Sequence, residues 1–190
     1  MLLVIWSVPV LPAAIPDNCA SDFEQARRLV NLLHLKATDL KDKYVSNARR
    51  PWDLRKHRIN NVDIPDEAPT STVTGSSLLE KLEDVYTKNR LFRLHILQVE
   101  KYQKELLSDP KPLSDGLKEI ARKLSRHLHV LENALGCLDP MTRPSTSPSL
   151  PDMDHHGDYS KKVYGWGVIV RLIEWLDEVK IVLAPRKFKK

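Results

Sequence analysis

Cysteine is scarce in this chain: its 190 residues hold two, Cys19 and Cys137. Two thiols can make one disulfide and no more. In an oxidising compartment the pair would close a loop of more than a hundred residues, a constraint worth about 4–5 kcal/mol on chain-entropy grounds. The other reading is two unrelated thiols. Strand-like alternation of useful length is missing, which excludes a sheet-based fold. There is no Gly-rich phosphate loop, no Gly-x-Ser-x-Gly and no His-Glu-x-x-His, and Cys137 has no evident base partner. No enzyme activity, catalytic residue or cofactor is therefore expected. Glu-x-x-His pairs are also lacking, which excludes the di-metal carboxylate site that some helical bundles house. His155 and His156 lie near Asp152 and Asp154 in a loop, too weak a grouping to predict a metal site. No Asn-x-Ser/Thr acceptor occurs, so N-glycosylation is not expected.

Long uncharged runs are nearly missing too. The exception is the start, MLLVIWSVPVLPAAI, which is too short and too interrupted by proline to span a bilayer. It has the character of the apolar part of a secretory signal, with Ala13–Ala14 as a cleavage point, although no Lys or Arg precedes it. An N-terminal strand or apolar tail is the alternative. The chain therefore divides into residues 1–20 as a signal-like segment and tail, 21–184 as one domain, and 185–190 as a basic tail. No membrane insertion is expected.

What is present fits a soluble globular protein: 42% hydrophobic and 29% charged residues, with a net charge of +5. An excess of cations suggests acidic partners. Basic clusters occur at Arg49–Arg50, at Arg55–Arg58 and in the C-terminal PRKFKK. They sit in a loop and a tail, without the reading element or stacking aromatics that nucleic-acid binding requires. Weak binding to extracellular polyanions is the partner class they allow, and solvated loop charge is the plainer one. Trp52, in the same loop, is expected to anchor it onto the body.

Four segments carry helical periodicity. Phe23, Ala26, Val30, Leu33, Ala37, Leu40 and Tyr44 form the first stripe, with Ser21 or Asp22 as the cap. Leu78, Leu82, Val85, Phe92, Ile96 and Val99 form the second, interrupted by Asn89 and opened by a Ser77/Glu80 capping box. Leu113, Leu117, Ile120, Leu124, Leu128, Leu131 and Leu135 form the third, with Gly136 as the stop and His127 and His129 on the surface beside it. The fourth runs from an Asp158 cap to before Pro185, with Ile169, Leu172, Leu176, Val179 and Leu183 inward. Trp166 and Trp175 lie nine residues apart on it, so they should not be equally buried. Gly165 and Gly167 weaken this helix, and a close approach of another segment would account for them.

The links set the topology. A link of about five residues between the second and third helices makes them antiparallel neighbours, and links of about 29 and 21 residues flank that pair. Long, short, long is the pattern of an all-α, long-chain four-helix bundle, up-up-down-down, with two long crossover loops. An Asp158 cap places Tyr159 and Lys162 on the first turn of the last helix, one above the other and off its inner stripe. An aromatic covered by a lysine stem at a bundle tip suits a protein contact. Packing against the crossover is the alternative.

The segment Tyr159-Ser-Lys-Lys162-Val-Tyr-Gly165 resembles the start of the fourth helix in the interleukin-6 family of cytokines. The subgroup is that of leukaemia inhibitory factor, oncostatin M and ciliary neurotrophic factor, which carry Phe-x-x-Lys there. INNVDIPDEAPTST resembles the first crossover of the last of these. Cys19 and Cys137 fall where the first two join the N-terminal segment to the end of the third helix. The resemblance implies a secreted, monomeric ligand that gathers cell-surface receptor ectodomains and activates JAK–STAT signalling. It implies that Tyr159 and Lys162 contact a leukaemia-inhibitory-factor-receptor type of chain. It also implies a second site for glycoprotein-130 on the outward faces of the first and third helices, where Arg28, Leu35, Lys118, Arg122 and Ser125 lie opposite the stripes. Glu178 stands where ciliary neurotrophic factor has Arg, at a surface some members use for an α-receptor. An intracellular helical adaptor or lipid-binding bundle is the competing expectation.

Overall fold

A computed structural model describes residues 15–46, 68–142, 148–150 and 157–185. Within them a short 3-10 turn, Asp17–Cys19, leads into four helices: α1 Ala20–Ser46, α2 Leu78–Leu106, α3 Lys111–Leu138 and α4 Asp158–Val182. At 1.5 Å per residue each is about 40 Å long. No strand occurs among the described residues. Trp52, the basic clusters and the His155–His156 pair lie outside them.

Cross-helix contacts fix the directions. Tyr44 at the end of α1 meets Lys162 at the start of α4, while His34, earlier on α1, meets Asp177, later on α4. Arg93 and Glu100 of α2 meet Ser125 and Ser114 of α3, again in reverse order. Asn89 and Glu105 of α2 meet Trp175 and Lys161 of α4 in reverse order as well. Lys36 of α1 pairs with Glu119 of α3, and Leu40 packs on Gly116. Each of α1 and α2 thus packs against both α3 and α4. The bundle is up-up-down-down, as the link lengths predict.

The core is built from the expected stripes, with Phe23, Leu33, Leu82, Phe92, Leu117, Leu124, Leu172 and Leu176 fully buried. Each such side chain contributes about 1.5–3 kcal/mol through removal from water. The Ser77/Glu80 capping box forms, and hydrogen bonds from Ser76 and Ser77 hold the Glu80 carboxyl down to about 2. Just before it, Gly75 takes φ +114, which side chains rarely adopt. The end of the first crossover runs along α2 and α4: the Ser71 hydroxyl donates to Glu174, and Lys88 donates to the Thr72 carbonyl.

Several details depart from the sequence reading. Helix α1 starts at Ala20, so Ser21 and Asp22 belong to its first turn. Helix α3 passes through Gly136 to Leu138, because Cys137 is held against Cys19 and Asp139 bonds back to Leu135. The α4 cap is Gly157, not Asp158, and the Ser160 hydroxyl bonds the Gly157 backbone. Trp166 and Trp175 are both buried, at 4% and 0% exposure. Residues Val163–Ile169 are buried on every side, so the opposite-faces rule has no force there. His127 is not a surface residue but fully buried, whereas His129 is exposed.

Candidate functional site at one end of the bundle

At the Cys19–Cys137 end the structure is stapled. The sulfurs lie 1.99 Å apart and the Cα atoms 5.8 Å apart, which is disulfide geometry. The two cysteines the sequence singled out are brought together, joining the start of α1 to the end of α3.

The opposite end is held without covalent help. The Tyr44 hydroxyl of α1 donates to the Lys162 carbonyl of α4 at 3.1 Å and accepts from Gln103 of α2 at 2.9 Å. Burial raises the Tyr44 phenol above its ordinary range, so it stays a neutral donor. A Cβ at Gly165 would overlap this hydroxyl and crowd Val99. Gly165 therefore lets α1 approach α4, the close contact its presence suggests. One turn inward, the Tyr164 hydroxyl shares a 2.5 Å hydrogen bond with His95 Nδ1, and Tyr102 meets Tyr164 edge-on. Lys161 pairs with Glu105 at 2.7 Å and lies 5.2 Å over the Tyr102 ring.

These contacts fix the first turn of α4 in place. Lys161 is turned to α2, and Lys162 forms no ion pair among the described residues. Tyr159 is 53% exposed.

A second polar layer crosses the bundle's middle. Trp175 Nε1 can only donate, so the Asn89 oxygen must face it, at 3.0 Å. That leaves the Asn89 amide nitrogen to donate to His127 Nδ1, at 3.1 Å. His127 is then neutral, with its proton on Nε2 toward the Ala26 carbonyl, where no hydrogen bond of ordinary geometry closes. Burial lowers both His95 and His127 to about 4. Sequence reasoning missed this layer. Its one signal was Asn89 breaking an apolar stripe.

The residues expected on the α1 and α3 faces separate into two flanks. Arg28 and Leu32 line an open groove of about 430 Å³ with Arg126 of α3, and Leu35 stands one turn along at 64% exposure. Arg28 is ion-paired to Glu24 at 3.1 Å. Arg122 is exposed between the flanks. Lys118 is drawn toward α2 through Glu100, at 3.7 Å. Ser125 is half-buried on the α2 side, accepting from Arg93 at 2.7 Å and donating to the Ala121 carbonyl. It therefore does not share a flank with Arg28 and Leu35. No grouping of metal-ligating side chains occurs among the described residues. No helix among them is long and apolar enough to cross a membrane.

Compared with protein-family models, curated proteins and solved structures, the chain finds no match.

Proposed function

We propose that this protein is a secreted cytokine of the interleukin-6 type, working by receptor assembly. The observation that carries the reading is Tyr159: a large aromatic left half in solvent on a turn of α4 that contacts from α1 and α2 hold. Such an aromatic costs little ordering entropy when a partner covers it. Lys162, one turn on, adds a charge beside it. The up-up-down-down topology is the arrangement of growth-hormone and cytokine bundles, and the cystine fits an oxidising compartment. The buried histidines bond inward to Tyr164 and Asn89, as parts of the core.

In this reading the tip contacts a leukaemia-inhibitory-factor-receptor type of chain. The groove beside Arg28 and Leu32, extended by Leu35 and Arg122, contacts glycoprotein-130. Two modest sites on one rigid body raise avidity when both receptors lie in one membrane. No catalytic step is involved. The test is direct binding of the purified full chain to the two receptor ectodomains in a biosensor. Binding to the first should fall at least tenfold in Tyr159→Ala/Lys162→Ala while binding to the second is kept. Equal binding of the double variant and the native chain to both ectodomains, or no binding by either, contradicts the proposal.

A further inference from the structure

Away from the tip, charge gathers along the flank where α2 packs on α3. Arg90, Arg93, Lys101 and Lys104 of α2 and Lys118 and Arg122 of α3 run along it. The contacts tie the two rows together. Arg93 reaches Ser125, one turn from Arg122, and Lys104 and Lys118 both meet Glu100, at 2.8 and 3.7 Å. Glu100 lies beneath them with 10% of its side chain exposed, and it also accepts from the Ser114 hydroxyl at 2.6 Å. Burial pushes its carboxyl up, but Lys104, Ser114 and Lys118 outweigh this and hold it below its ordinary value. Glu100 thus takes up Lys104 and Lys118, Glu105 lies near Lys101, and cations still outnumber carboxylates along the row.

Two of the cations are already positioned. The Arg90 guanidinium lies 5.8 Å over the Tyr86 ring, and Arg93 Nε donates to Ser125. With Leu94, Leu128 and Pro148 they line an open cavity of about 250 Å³, with room for a sulfate-sized group. From Arg90 to Lys104 the row extends about 21 Å along the helix. A row of this length suits a linear polyanion, not a single small anion. Single-stranded nucleic acid would need exposed aromatic platforms for its bases, and the Tyr86 face is covered by Arg90. A cystine fits an oxidising compartment, and outside cells the abundant linear polyanions are sulfated glycans.

We propose that the α2/α3 flank is a docking surface for a sulfated polysaccharide chain laid along the row from Arg90 to Lys104. This goes beyond the receptor reading and is tested without any receptor. The full chain is loaded on immobilised heparin and eluted with salt, beside three charge-matched variants. Arg90→Gln/Arg93→Gln and Lys101→Gln/Lys104→Gln alter the row. Lys189→Gln/Lys190→Gln removes the same charge from the C-terminal tail. Circular dichroism reports whether each variant folds, and the exposed lysine pair decides if the arginine pair does not. The native chain should be retained well above about 0.15 M salt. Each row variant should elute earlier than the tail variant. Its dependence of log affinity on log salt should drop by about 2, one for each lost cation. The proposal is overturned if the native chain washes through at about 0.15 M salt. It is also overturned if the tail variant loses as much retention as the folded row variants. Displacement by a single-stranded oligonucleotide as readily as by heparin would overturn the choice of ligand.

Discussion

The two ends of this bundle are closed by different means. At one end the Cys19–Cys137 bond joins α1 to α3. At the other, α1 and α4 are joined by the Tyr44 hydroxyl, a glycine contact and a small aromatic cluster. The covalent end constrains the unfolded chain and fixes a narrow geometry between the start of α1 and the end of α3. At the packed end the contacts set where the first turn of α4 stands. The proposed receptor tip lies on the end that is positioned by packing.

Removing the staple should have the largest effect on stability. Cys19→Ser/Cys137→Ser frees a loop of sequence separation 118 and should cost about 4–5 kcal/mol by urea titration. The folded fraction should keep its tip, so receptor affinity per folded molecule should be unchanged. If affinity falls with stability, the two ends are not independent.

Acid should loosen the packed side and the central layer together. His95 and His127 are neutral in the fold at about 4 and near 6.5 when exposed, so between these values the unfolded chain binds protons that the native chain does not. The stability they give is full above pH 6.5 and is lost as pH falls toward 4, about 2–3 kcal/mol for each. For His127 the geometry agrees, since a proton on Nδ1 would meet the Asn89 amide donor. Melting temperature should fall steadily from pH 7 to 4, and His127→Gln should flatten about half of that slope. A flat profile in the native chain would contradict the burial of these two imidazoles in neutral form.

Gly165→Val tests the close approach itself. The added carbons overlap the Tyr44 hydroxyl and Val99, and overpacking of this kind costs about 1–3 kcal/mol. Receptor binding should fall further than stability, because α4 must shift at its first turns. Tyr44→Phe, which removes only the hydroxyl, should cost about 1 kcal/mol. A Gly165→Val chain with native melting and native binding would remove the reason given for this glycine.

Much of the fold is legible in the sequence because helix packing is a local pattern. The stripes at three- and four-residue spacing and the long, short, long links specify the helices and their directions with no knowledge of partners. The misses share a cause. His127 reads as surface because its neighbours, Asn89 and Trp175, come from other helices. Trp166 and Trp175 read as unequally buried because a helix buried all round has no single inner face. Ser125 was placed on the wrong flank because the stripe says only that a residue is outward, not which neighbouring helix it leans on. Tyr159 sits at an end, off the stripe, and is 53% exposed.

Exchange at the tip should have the smallest effect on stability and the largest on the proposed activity. Tyr159→Ala/Lys162→Ala removes an exposed ring and a partly exposed lysine, so folding stability should change by no more than about 0.5 kcal/mol. The deciding measurement is STAT phosphorylation in cells that carry both receptor types, treated with the native chain or with this double variant after their melting curves are matched. The account predicts a full response to the native chain and none to the variant at the same dose. An equal response to both would contradict it.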